Sequence, residues 1–246
     1  MLDLIAFDAD DTLWHTEHLY VSTREKLERL LDERYAIDGV EQALHETEMR
    51  NLARYGYGSK PFVLSMIETA VQLTEGRIRG AEVGQIVGWL HEMLDAKVEL
   101  MDHVQETVAA LARTHTLIVV TKGDLVDQEA KLARSGLADC FDHCEILPEK
   151  TSRRYQALLD WHGVAPSRFL MVGNSLRSDV LPVAALGGHA VHIPAAVTWI
   201  HEQVDAPGPE RGGYHELAHI GLLPALIHEI EAGAQDRQPV GFQRDL

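Results

Sequence analysis

LDLIAFDADDTLW, residues 2–14, joins an apolar run to a cluster of acids. Leu4, Ile5, Ala6 and Phe7 are too few for a helix and read as a buried strand. Asp8, Asp10 and Asp11 crowd the end of that strand, where mutual repulsion is costly unless a cation, a proton or a hydrogen-bond network offsets it. A bound divalent cation is the simplest remedy. Alternation along an extended chain predicts that Asp8 and Asp10 point to one side and address one reacting centre. Thr12 can tie the turn down through its hydroxyl. Taken alone, the same spacing also suits an acidic surface turn.

Outward from this stretch the pattern becomes helical for about 85 residues. Tyr20, Thr23, Leu27, Leu30 and Leu31 form one apolar stripe, and Asp38-Gly39 breaks the chain before a second helix through Leu44, Thr47 and Leu52 to Tyr55. The glycine loop Tyr55–Pro61 leads to a third helix predicted over Phe62 to Leu73. Gly76 and Gly80 punctuate the next gap, and Val83, Ile86, Val87, Leu90, Met93 and Leu94 keep the period of a fourth. Four amphipathic helices with short connections predict a small bundle.

From Val98 onward strands and helices alternate, as in a parallel sheet. The strands are predicted at Leu117 to Val120, Cys144 to Leu147, Phe169 to Val172 and Ala190 to Ile193. Helices are predicted at Leu125 to Ser135, Ser152 to His162 and Val180 to Leu186, with Gly136, Gly163 and Gly187-Gly188 as stops. The reading is an α/β core of residues 1–14 and 99–234, a helical insert of residues 15–98, and a polar tail of residues 235–246. In such open sheets, ligands sit at the carboxyl ends of the strands.

A length of 246 residues, with 46% hydrophobic and 24% charged residues, suits a globular protein of one large domain with an insert. The formal net charge of −16 argues against non-specific binding to nucleic acid or to an anionic membrane. Cys140 and Cys144 lack a second pair for a zinc site and read as small, partly buried residues in a reducing compartment. With no basic leader and no long apolar stretch, the expected location is cytoplasmic. Monomer and homodimer stay open.

The predicted strand ends carry FDADDT, VVTKG, PEK and GNSLRSD, in that order. This series resembles the four motifs of the haloacid dehalogenase superfamily, and the helical insert is similar to its helical cap of the first type. The resemblance implies a Rossmann-like core with an inserted four-helix cap and a magnesium-dependent phosphohydrolase acting on a small phosphorylated metabolite. It implies Asp8 as nucleophile forming an aspartyl-phosphate, Asp10 as general acid and base, and Thr121 and Lys150 as stabilisers of phosphoryl charge. Asp8, Asp10, Asn174 and Asp179 are the candidate ligands of Mg2+. Asn174 stands where many relatives place an acid, and Asp179 is the candidate for the missing charge. Thr121, Lys122, Gly123, Lys150 and Lys60 are the candidate substrate contacts, with the Tyr55–Lys60 loop as specificity element. Trp14, His15 and His18, at the entrance to the insert, read as packing and hinge residues. Dehalogenases of this superfamily lack an acid at the position of Asp10 and need no metal, which favours phosphatase chemistry. A phosphomutase and a non-catalytic ligand-binding protein are the alternatives.

Overall fold

The computed structural model describes residues 1–195 and 213–235; the expected tail therefore lies outside the described residues apart from Gln235. Six parallel strands form one sheet in the order β3-β2-β1-β4-β5-β6. These are β1 (Leu4–Phe7), β2 (Thr116–Thr121), β3 (His143–Ile146), β4 (Phe169–Gly173), β5 (His189–His192) and β6 (His215–Glu216). β1 is central, with Leu4 opposite Thr116 of β2 and Phe169 of β4. Its apolar run has no polar alternation because both faces are covered.

The two faces have separate cores, set by the alternation of side chains along each strand. Ile5, Phe7, Val119 and Val172 face one way, against α5 (Val104–Leu111) and α9 (Leu223–Gln235). Leu4, Ala6, Val120 and Met171 face the other, against Tyr155 and Leu159 of α7 (Ser152–His162) and Val183 of α8 (Leu181–Ala184). The molecule is thus an α/β Rossmann-like sheet between two helical layers, with α6 (Leu125–Ser135) following β2.

Between β1 and α5 the chain forms α1 (Glu17–Tyr35), α2 (Val40–Tyr55), α3 (Ser59–Leu73) and α4 (Gly80–Asp95). They enclose a core of their own that includes Leu27, Leu31, Leu44, Met66 and Ile86. The chain leaves and re-enters the sheet at one place. Met101 N donates to Leu13 O at 3.0 Å, and His15 N donates to Glu99 O at 2.9 Å.

Several boundaries differ from the sequence reading. α3 begins at Ser59, before Lys60 and Pro61, because Pro fits a first helical turn where its missing N–H is no loss. The helix predicted from Val180 instead starts with a π-helical turn at Leu176–Val180 and continues as α8. α5 and the two-residue β6 were not predicted; β6 is too short to leave a periodic signal. Trp14 is buried, whereas His15 and His18 are exposed, so packing at the entrance falls to the tryptophan alone. The cysteines are half-buried free thiols, and burial pushes Cys144 up to about 11, with Glu129 and Glu145 adding to the effect. Among the described residues no helix is long and apolar enough to cross a membrane.

Ile5 is fully buried on the central strand. Ile5→Ala is expected to lower unfolding free energy by roughly 2–5 kcal/mol in urea titration, and a loss below about 1 kcal/mol would contradict its place in a close-packed core.

Candidate active site

Sheet order decides which residues meet. Strand order reverses between β1 and β4, and Asp8 follows β1 there, its N–H donating to Val172 O at 2.8 Å. Lys150, after β3, reaches under the same strand end. Its ammonium, almost fully buried, donates to Asp8 Oδ1 and, at 2.6 Å, to Asp179 Oδ1. Asp179 Oδ2 accepts from Ser175 N at 3.0 Å. Asp179 curls back over Gly173, where a Cβ would lie 2.3 Å from Asp179 Oδ2, so only glycine fits beneath it.

Burial opposes every charge in this group. It pushes Asp8 up to about 7 although Lys150 draws it down, because Asp179 and Asp10 add repulsion. Burial would also lower Lys150, but Asp179 and Asp8 outweigh it and hold the ammonium above its ordinary range. Lys150 is therefore a fixed cation, and the Asp8 anion needs further positive charge.

Asp10 has a lysine of its own. Its Oδ1 accepts from Trp14 Nε1 at 2.9 Å, Thr16 Oγ1 at 2.8 Å and Lys131 Nζ at 3.0 Å, and its Oδ2 accepts from Gln128 Nε2 at 2.7 Å. Burial favours its neutral form, but Lys131 and the three neutral donors prevail and hold the carboxyl below the usual range. Asp11 takes a different direction. At φ 58 its carboxylate turns to the start of α1 and accepts from Thr16 N at 2.9 Å and from Glu17 N at 3.1 Å. The three crowded acids are thus separated into a lysine-bound pair and a helix cap.

Asp8, Asp10, Thr121, Lys122, Lys150, Asn174 and Asp179 all line one cavity of about 190 Å³ between the strand ends and α1–α3. Lys122 Nζ donates to Ser178 Oγ at 3.1 Å and lies 4.0 Å from the centre of the Tyr57 ring. Gly123 and Lys60 do not line this cavity. They border a neighbouring cleft, where Lys60 Nζ pairs with Asp124 at 2.6 Å. Attraction to that helix-capping carboxylate turns Lys60 away, while Gly58, at φ +112, brings α3 against the Gly123-Asp124 turn. The Tyr55–Lys60 loop still contributes Gly56, Tyr57 and Gly58 to the cavity.

Thr12 Oγ1 donates to Asp8 Oδ2 at 3.1 Å and lies 3.4 Å from Asn174 Oδ1, so these two oxygens share a neighbour. Lys150 engages Asp8 through Oδ1 and leaves Oδ2 to this side, while Lys131 and Lys150 engage Asp10 and Asp179. Among the described residues no group of three or more His, Cys, Asp or Glu side chains could hold a metal. One carboxylate and one amide oxygen nevertheless fit magnesium, which keeps several waters and uses one or two protein carboxylates. His192 steadies this side, with Nε2 3.1 Å from Asn174 O and Nδ1 3.0 Å from Glu216 Oε2.

Sequence reading missed Gln128, Lys131, Ser175, Ser178 and His192. For the first two a signal existed: Asp127, Gln128 and Lys131 are polar residues on the buried face of α6, where an amphipathic helix calls for apolar ones.

A parallel sheet whose strand ends gather an acid pair, a buried lysine and a hydroxyl around one cavity is a hydrolase architecture. The chain belongs to the haloacid dehalogenase-like hydrolase family, whose model matches residues 2–187. A haloacid dehalogenase-like hydrolase from Xanthomonas campestris is similar over 96% of this chain and 95% of its own, at 38% identity and TM-score 0.85. A 2-haloacid dehalogenase from Pseudomonas syringae pv. Tomato shares 22% identity over 93% of this chain and 99% of its own, at TM-score 0.63. A predicted phosphoglycolate phosphatase from Haemophilus somnus shares 19% over 92% and 98%, at 0.60. The last two likenesses concern the fold. No curated protein matches the chain.

Lys131→Met would leave the Asp10 carboxylate without its cation, and breaking such a pair costs roughly 3–5 kcal/mol when fully buried, less for this partly exposed acid. Because the folded pKa of Asp10 is depressed, the stability it contributes is present above the ordinary carboxylate range and lost as pH falls through its folded value. The variant's deficit in urea midpoint should therefore be largest at neutral pH and shrink below about pH 4; a pH-independent deficit would contradict the pairing.

Proposed function

We propose that the protein is a magnesium-dependent phosphohydrolase acting on a small phosphorylated metabolite, with α1–α4 as a cap over the site. The observation that carries this reading is the second acid: Asp10 lines the same cavity as Asp8, two residues further on. A halide departs as a stable anion and needs no proton. An alkoxide leaving a phosphate ester does. Cations at Lys150 and Lys122 also suit a phosphoryl group.

Asp8 attacks phosphorus, forming an aspartyl Oδ–P bond as the ester P–O bond breaks. Asp10 gives its proton to the departing oxygen. Lys131 holds Asp10 ionised without substrate, and the negative charge of a bound phosphoryl group raises its proton affinity, loading the acid when needed. Asp10 then takes a proton from water as the water oxygen bonds to phosphorus and Asp8 is released. Lys150 carries positive charge to the equatorial oxygens, with Thr121 at the adjacent strand end, while Asp179 positions Lys150. Asp8 and Asn174 would hold magnesium, which supplies further charge neutralisation where an anionic nucleophile meets an anionic substrate.

Release of inorganic phosphate from p-nitrophenyl phosphate should require magnesium and stop on chelation. Asp8→Asn should abolish release with an unchanged circular dichroism spectrum, since an amide cannot replace the nucleophile. Asp10→Asn should reduce kcat by about 10²–10⁴-fold. Halide release from 2-haloacids without phosphatase activity would overturn the reading, as would full activity in Asp8→Asn.

A further inference from the structure

We propose that Glu17 and Glu48 make the helical end of the cavity a recognition site for a protonated amine on the leaving group of the phosphate ester. This deepens the phosphohydrolase reading and rests on it for the identity of the other end. The cavity is continuous from Asp8 and Lys150 to Glu17 and Arg24 on α1 and to Glu48 and Asn51 on α2.

Its helical end is rich in acceptors that no hydrogen-bond donor among the described residues satisfies. Among the described residues neither the Glu17 nor the Glu48 carboxylate makes a hydrogen bond or ion pair. Arg24 attracts both carboxylates, and its one ion pair among the described residues is with the exposed Glu41, at 3.8 Å. Asn51 is only 6% exposed. Its Nδ2 donates to Ser65 Oγ at 3.1 Å and Glu68 Oε2 at 2.8 Å, leaving Oδ1 with no donor among the described residues.

Leaving such groups in a cavity without partners carries a desolvation penalty. Burial pushes Glu17 up to about 7, reinforced by Asp11, and pushes Glu48 up to about 7, reinforced by Glu17, in both cases against the pull of Arg24. When both are ionised, as a bound cation would favour, two carboxylates against one guanidinium leave excess negative charge. A leaving group with its own carboxylate meets repulsion there, and a neutral polyol supplies donors without offsetting charge. An ammonium group supplies three donors and the missing cation together.

The test compares O-phosphoethanolamine, glycerol 3-phosphate and phosphoglycolate, esters of similar size whose leaving groups are cationic, neutral and anionic. Phosphate release is measured with magnesium for the natural chain, Glu17→Gln and Glu48→Gln. Binding to Asp8→Asn, with and without Glu48→Gln, is measured by calorimetry. The expected result is kcat/KM at least about tenfold higher for the amine than for either other ester, as one charge-assisted hydrogen bond provides. Either glutamine variant should reduce that preference to under about threefold. Turnover without preference for the amine, or equal losses on all three esters, overturns the proposal and leaves the phosphohydrolase reading intact. No turnover, with Glu48-dependent binding of the amine ester, does the reverse. Neither turnover nor selective binding removes both.

Discussion

The centre of the molecule depends on one ammonium group held out of water between two carboxylates. Lys150 is buried with Asp8 on one side and Asp179 on the other, and removing any member would leave charge uncompensated in a low-dielectric site. The surrounding structure reads as a set of conditions for that contact. β1 lies beside β4, so that the residues following each strand converge. Gly173 has no side chain, so the Asp179 carboxylate can lie across it, while Ser175 N and Thr12 Oγ1 hold the oxygens of Asp179 and Asp8 that Lys150 leaves free.

Asp10 repels Asp8 and helps to raise it, so the two acids are not independent. Yet each has its own lysine, from different elements: Lys150 after β3 for Asp8, Lys131 on α6 for Asp10. The environments diverge accordingly, one acid driven up by burial and the other held down by four donors. This divergence separates the roles of two chemically identical side chains. Asp10 is also bound by Trp14 and Thr16, residues at the point where the chain enters the helices. Any movement of α1–α4 relative to the sheet would pass through residues that touch this acid.

What could be read from sequence follows from which forces are local. The run Leu4 to Phe7 identifies itself because a strand covered on both faces must be apolar throughout. The helices α1–α4 do so by periodicity, and Asp8, Thr121, Lys150 and Asn174 by lying at or just beyond the ends of successive strands. The carboxylate directions were not legible. Strand alternation puts Asp8 and Asp10 on one side, but Lys131 and Gln128, far along the chain, decide where Asp10 points. Nothing local in the sequence pairs Lys60 with the distant Asp124, and only the close approach of Gly58 to the Gly123-Asp124 turn brings the two together. The acceptor-rich end of the cavity was equally hidden, since Glu17 and Glu48 look like solvated helix residues until α1 and α2 pack.

The insertion of α1–α4 directly after β1 also orders events during synthesis. β1 leaves the ribosome well before its partners, because Thr116–Val119 and Phe169–Val172 come only after every helix of the insert. The central strand of the sheet is thus the segment that waits longest for its neighbours, with an unpaired apolar edge meanwhile. The local contacts of α1–α4 form readily in that interval, and the crossing at Leu13–His15 and Glu99–Met101 then draws the helices' two ends together, shortening the effective loop that β1 must close to reach β2.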